Sequence, residues 1–293
     1  MRKAVLSGLF SVVLLIIGLF SMPSKVFAAQ WNTAPSGASG VAIGDYDGDG
    51  FNDIAFAQYQ AGTVDVYNRF GVLIWQFLGL ALPTGVAIGD CDMDGFNELV
   101  FAEEAAGIVR VYKWPNILIW VYGGLAAPQG VAIGDYDSDG LNDVAFAEGQ
   151  AGLVSVYRWP NILMFQWGGL GWPSGVAIGD YDNDGFDELA YAEFGTGAVT
   201  VWKWPPALFW IWAGLGGPYG VAIGDYDNDG FNELAFAEFF AGQVTVYDWP
   251  PNLLKIVQVL GGPYFVAIGD YNADGYKDLA FTELPGQKVT VYR

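Results

Sequence analysis

The 293-residue chain contains no histidine, one cysteine and 12 basic residues against 32 acids. Without histidine, no Ser-His or Cys-His nucleophile system can be assembled. With Cys91 as the single cysteine, an exported chain has no internal disulfide to lean on. The missing nitrogen and sulfur donors also exclude zinc and copper sites by ligand type. A formal charge of −20 repels nucleic acid and anionic lipid and attracts cations.

Long apolar runs are missing too, apart from one at the start. Arg2 and Lys3 precede an apolar stretch from Ala4 to Met22, followed by Pro23 and "KVFAAQ". This pattern predicts a signal peptide over residues 1–28, cut after Ala28, and hence a secreted or cell-surface protein. A retained membrane anchor over residues 4–22 is the alternative. Residues 1–28 hold three bases and no acids, so the remainder carries 9 bases against 32 acids, a net of −23. Such charge does not imply disorder here, because 53% of the residues are hydrophobic and 12 Trp, 16 Tyr and 20 Phe are present.

What the chain has in abundance is repetition. "VAIGD" begins at Val41, Val86, Val131, Val176, Val221 and Val266, always 45 residues apart. A fixed period in this range signals a solenoid, propeller or array. Within residues 41–85, "VAIG", "IAFAQ", "TVDVY" and "VLIWQF" read as four strands separated by an acidic loop, an Ala-Gly turn and a second turn. In four other copies that second turn is Trp-Pro, at Trp114, Trp159, Trp204 and Trp249, read as blade packing. Large and small apolar residues alternate on the strands, which suits sheets stacked between neighbours. The reading is an all-β, six-bladed β-propeller of four-stranded blades, occupying residues 29–293 as one domain. A β-solenoid is the alternative. The sixth unit stops after its third strand, and the segment around Trp31 is expected to supply the fourth and close the ring.

Each "VAIG" runs into a nine-residue acidic loop with glycine at position 6 and carboxylates at positions 1, 3, 5 and 9, except that Asn272 stands at position 3 of the sixth. Alternate hard oxygen donors, a sharp turn at Gly, a backbone carbonyl at 7 and a terminal carboxylate are the arithmetic of a calcium loop. The candidate ligands are Asp45, Asp47, Asp49, the Phe51 carbonyl and Asp53; Asp90, Asp92, Asp94, Phe96 and Glu98; and Asp135, Asp137, Asp139, Leu141 and Asp143. The later copies offer Asp180, Asp182, Asp184, Phe186 and Glu188; Asp225, Asp227, Asp229, Phe231 and Glu233; and Asp270, Asn272, Asp274, Tyr276 and Asp278. Up to six calcium ions are expected, one per blade, with the sixth loop weakest because Asn272 replaces an acid. The plain alternative is a solvated Asp-Gly turn, but clustered carboxylates repel strongly without a cation, and within the loops only Lys277 is basic. Cys91 replaces the Tyr of the other loops and reads as a packing variant.

These residues resemble a known family. "VAIGDYDNDGFNELAFAE…GQVTVY" is similar to the FG-GAP and VCBS-type repeats of integrin α-chain heads and bacterial surface proteins, over residues 29–293. The resemblance implies a propeller with structural calcium between the first two strands of each blade. Integrin heads have seven repeats with metal in only some, whereas this chain has six acid-loaded loops. Its "GGPYG"-like connectors replace the literal FG and GAP residues.

Five further acids form a second 45-residue series, Glu103, Glu148, Glu193, Glu238 and Glu283, with Gln58 as its first member. They are placed on the face opposite the calcium loops, near connectors carrying Trp172, Tyr219 and Tyr264. One reading has each Glu bonding backbone amides of a neighbouring loop; the other makes these eight residues a ring of ligand pockets suited to sugars. Only Asp65, Glu104 and Asp248 remain unassigned, which speaks against a catalytic carboxylate pair. The function expected is a non-enzymatic, exported, calcium-binding recognition or adhesion module for a glycan or extracellular protein, monomeric, without nucleic-acid or membrane contacts of the mature chain. Some fungal propellers of similar repeats are lectins, so carbohydrate is the first ligand implied. A calcium-stabilised scaffold without a specific ligand is the alternative, and a polysaccharide-active enzyme the least expected.

Overall fold

The computed structural model describes residues 29–32, 37–284 and 288–292. The signal peptide expected over residues 1–28 lies outside the described residues. Six sheets of four antiparallel strands form the molecule, and no helix occurs among the described residues. In the first blade the strands are Ala38–Gly44, Asp53–Gln58, Thr63–Tyr67 and Leu73–Leu78, ordered from inside to outside as they follow in the chain. The sixth blade has Pro263–Gly269, Asp278–Glu283 and Lys288–Tyr292, and its outermost strand is Ala29–Asn32, with Trp31 opposite Val289. The first and last described strands are thus paired in one sheet, as expected.

The innermost strands touch their neighbours all the way round, and Ala38–Gly44 closes on Pro263–Gly269. Their Val-Ala-Ile residues line a narrow axial shaft with a cavity of only about 150 Å³. Side chains would not fit where these strands cross. A Cβ on Gly40, Gly85, Gly130 or Gly175 would lie 2.1 to 2.6 Å from a carbonyl oxygen of the next blade. Blade packing explains the large–small alternation. Ala55 and Ala57 of blade 1 form one cluster with Leu99 and Phe101 of blade 2, and Ala145 and Ala147 do the same with Leu189 and Tyr191.

The inner strand is longer than "VAIG" suggests. It starts three residues earlier, at Ala38 or Pro83, and a bulge separates this first residue from Val41 or Val86. The Pro-initiated connector therefore joins the sheet, Pro being tolerated as the first residue of a strand. The Trp-Pro turns pack between blades: Trp114 meets Tyr46 edge-on at 5.5 Å, Trp204 meets Tyr136 at 5.6 Å, and Trp249 meets Tyr181 at 5.5 Å. Cys91 takes the place of such a tyrosine, fully buried in a cluster that includes Trp159. Burial holds its thiol well above the ordinary range, so it is not a reactive nucleophile.

Candidate functional site

The acidic loops all join the first strand of a blade to the second, so they share one face of the ring. The position-9 acid opens the second strand and is buried there. One of its oxygens receives the backbone N–H of position 2, as in Tyr46 to Asp53 at 2.9 Å, Cys91 to Glu98 at 2.9 Å and Tyr181 to Glu188 at 2.8 Å. The other oxygen is buried without a hydrogen-bond partner in Glu98, Asp143, Glu188, Glu233 and Asp278. Position 1 folds over the turn: Asp45 accepts the N–H groups of Gly48 and Gly50, each at 2.9 Å. The exposed position-5 acids Asp49, Asp94, Asp139, Asp184, Asp229 and Asp274 accept the N–H of Phe51, Phe96, Leu141, Phe186, Phe231 and Tyr276.

Three carboxylates come within 4.8 Å of one another in five loops: Asp45–Asp47–Asp53, Asp90–Asp92–Asp94, Asp135–Asp137–Asp143, Asp180–Asp182–Glu188 and Asp225–Asp227–Asp229. Loop 6, with Asn272 at position 3, does not form such a trio among the described residues. These five clusters could hold metal ions. A buried carboxylate oxygen lacking a donor fits a hard cation, since buried polar atoms otherwise find partners. Adjacent loops are tied together as well. The Asn97 amide donates to the Asp45 carbonyl at 2.8 Å and Asn142 to that of Asp90 at 2.7 Å, whereas in loop 4 Asp187 receives the Asp135 N–H at 3.1 Å.

Metal-free, this arrangement holds protons. Burial, followed by the charge of Asp47, pushes Asp53 up from 3.8 to about 7. Burial likewise raises Asp143, Glu98, Glu188 and Glu233 to about 7 and Asp278 to about 6. Because the folded pKa exceeds the unfolded one, the folded state binds more protons between the two values. The resulting stabilisation is complete below the unfolded pKa and is lost as pH rises through about 7. Chelated and desalted protein is therefore expected to melt several degrees higher at pH 5 than at pH 8; an equal or lower melting point at pH 5 would contradict this.

The expectation that only Lys277 offsets the loops needs correction. Third-strand cations reach three of them: Lys113 contacts Asp92 at 2.7 Å and also pairs with Asp94, Lys203 contacts Asp182 at 2.6 Å and also pairs with Asp184, and Arg158 contacts Asp139 at 2.7 Å and also pairs with Asp137. The strand register carries them there, setting Glu98 opposite Lys113 and Asp143 opposite Arg158.

On the opposite face the Glu series is buried. Glu103, Glu148, Glu193 and Glu238 accept the connector N–H of Ala81, Ala126, Gly171 and Gly216 at 2.7 to 3.0 Å, and Glu283 accepts from Thr290 and pairs with Lys288. In blade 1, where Gln58 interrupts the series, Asp65 supplies the carboxylate and accepts from Gln58 and Gln76.

Trp172, Tyr219 and Tyr264, by contrast, come together. With Phe194, Phe239 and Leu284 they line a cavity of about 520 Å³. The Tyr219 and Tyr264 rings stack 3.6 Å apart, and the Tyr219 hydroxyl donates to Gln129 at 3.0 Å. Trp172 sits at φ 56°, as Leu82 and Ala127 do at the same place in their connectors at 55° and 54°, so this left-handed turn belongs to the repeat. Beside the cavity Tyr59 lies near Glu104, and burial first, then this carboxylate, push the Tyr59 phenol up to about 12. Burial pushes Tyr219 to about 12 and Tyr264 higher still, with the Glu104 charge acting on both. Sequence reading missed Tyr59, Glu104, Gln129, Phe194 and Phe239. A signal lay at two of the repeat positions that vary between blades: Tyr59, Glu104, Gly149, Phe194, Phe239, Leu284, and Ser39, Thr84, Gln129, Ser174, Tyr219, Tyr264.

No family model matches the chain, and no curated protein matches it in sequence. Among solved structures it is similar to a virginiamycin B lyase from Staphylococcus aureus, at 14% identity and a TM-score of 0.62, covering 92% of this chain and 99% of that one. A gluconolactonase from Xanthomonas campestris aligns at 17% identity and a TM-score of 0.65, over 90% and 89% of the two chains. BBS1N in complex with ARL6DN aligns at 13% and 0.60, over 85% and 76%. These likenesses support a six-bladed propeller rather than an integrin head in particular. They also correct the expectation of a non-enzymatic recognition module, because enzymes stand among the structures that share this fold. A form of the lyase inactivated by replacing a histidine is known in complex with quinupristin, and a histidine mechanism has no counterpart in a chain without one. At such identities the likeness shows the fold alone.

Proposed function

We propose that the chain is a calcium-stabilised propeller enzyme that performs acid–base chemistry on a small, largely apolar substrate at the aromatic mouth. One observation carries this reading. Two of the repeat positions that vary from blade to blade supply Phe194, Phe239 and Leu284, and Tyr219 and Tyr264, and these five residues with Trp172 line a single cavity of about 520 Å³. A concave apolar cavity with a few convergent polar groups is the default site for a small molecule.

Stacking on Tyr219, Tyr264 and Trp172 positions a ring of the substrate. Glu104 takes a proton from the substrate or from an attacking water, and Tyr59, neutral at pH 7, donates a hydrogen bond to the oxygen on which charge develops. Ester or lactone opening and β-elimination both fit that inventory. The test is a panel of lactones, aryl esters and elimination substrates. Glu104→Gln is expected to lower turnover by roughly 100-fold or more with an unchanged melting temperature, and Tyr264→Ala to act mainly on KM. Turnover by Glu104→Gln equal to that of the parent would reject the assignment.

Calcium is inferred for the acidic loops from their oxygen-only donors and their partnerless buried carboxylate oxygens. The loops are read as repeats of the FG-GAP kind. When bound, the ion supplies positive charge that lets the two inner strands of a blade meet. Residues 1–28 are proposed to direct export.

A further inference from the structure

The six loops share their acids but not their neighbours. One repeat position, at or just past the end of the third strand, holds Asn68, Lys113, Arg158, Lys203 or Asp248 in blades 1 to 5, and the sixth, Arg293, lies outside the described residues. In blades 2 to 4 this residue is a cation sitting among the carboxylates that would hold the metal. Lys113 approaches Glu98 at 3.9 Å and Lys203 approaches Glu188 at 3.5 Å, besides their contacts at positions 3 and 5. An ion and an ammonium or guanidinium cannot share that space without strong repulsion, so binding has to expel the side chain.

Blade 5 is the reverse. The second and third strands pair Leu234 with Tyr247, and the next step of that register sets Asp248 beside Glu233. The equivalent step in blade 2 sets Lys113 opposite Glu98, so an acid stands in blade 5 where blade 2 has a cation. Here the buried Glu233 Oε1 and Asp225 Oδ1 have no hydrogen-bond partner, and no basic side chain is paired with them among the described residues. In blade 1, Asn68 is neutral and accepts the N–H groups of Phe70 and Val72 instead.

We infer that Asp248 is an additional acidic contributor to the loop of blade 5, making it the tightest calcium site, while Lys113, Arg158 and Lys203 act as built-in counter-ions that make the loops of blades 2 to 4 weak. This inference rests on the calcium reading. It gives a role to an acid outside both repeat series and divides the repeats into self-neutralised loops and loops that need an external cation.

Calcium titration of the chelated full-length protein by calorimetry tests it. At least two classes of sites are expected, separated by about tenfold or more in affinity. The triple variant Lys113→Met, Arg158→Met, Lys203→Met should tighten the weak class by a similar factor. Asp248→Asn, which preserves shape, should weaken the tight class, and Asp248→Lys should abolish it. Should either replacement unfold the chain, the triple variant still decides. One class of sites insensitive to these substitutions would overturn the inference and leave the calcium reading intact. No heat and no binding in any variant would instead defeat the calcium reading itself.

Discussion

Chelation of calcium lowers the melting temperature by about 10 °C or more. The expectation follows from linkage: an ion that binds only the folded state at about 100 times its Kd adds about 2.7 kcal/mol per site. In a domain of this size each kcal/mol moves the transition by about 2–4 °C, so two occupied loops already give a shift that large. The physical source is the crowding of three carboxylates within 4.8 Å at the junction of the two innermost strands. Without an ion, the loops that lack a third-strand cation must either take up protons or splay, and splaying opens the contact between blades. Added back, calcium should restore the transition; magnesium should restore little, because it keeps its water shell and tolerates large protein-derived shells poorly. Identical melting curves with calcium and with chelator would remove the loops from the stability of the ring.

Gly130→Ala is expected to destabilise the propeller by about 3 kcal/mol, at the upper end for an overpacked core. The added Cβ would lie 2.6 Å from the Ser174 carbonyl oxygen and 2.9 Å from the Cα of Gly175, both backbone atoms of the next blade. Neither can retreat as a side chain would, because both belong to an inner strand held on two sides. Gly123→Ala is the matched control, since its Cβ would find nothing nearer than 3.9 Å, and a change of no more than about 0.5 kcal/mol is expected there. Urea unfolding of the two variants checks the pair. Equal midpoints would mean that the blades do not converge as closely as the structure places them.

Much of this was legible in the sequence because it repeats. The register of "VAIGD" set the blade count, and the truncated sixth unit pointed to Ala29–Asn32 as the closing strand. Strand starts were less legible. Pro83 reads as a connector, yet it pairs with Glu103 across a bulge, a pairing that no local pattern announces. Two features of the sites were hidden for a different reason. Lys113 is 19 residues from Asp94 in sequence, and only the antiparallel fold of the second and third strands brings them together. The aromatics Trp172, Tyr219 and Tyr264 could be named from the connectors, but the rest of the mouth was hidden because Tyr59, Glu104, Gln129, Phe194 and Phe239 come from several blades. Counting carboxylates by repeat left Glu104 as a remainder. Repetition discloses what every blade does, and function at the mouth depends on where the blades differ.

The most direct measurement is native mass spectrometry of the folded chain after exchange into buffer with micromolar calcium. Retention of bound calcium, falling stepwise as Asp225 and Asp248 are replaced by asparagine, is the expected result. A compact, fully folded ring that carries no divalent ion even when calcium is raised to millimolar would contradict the claim that cations complete these acidic loops.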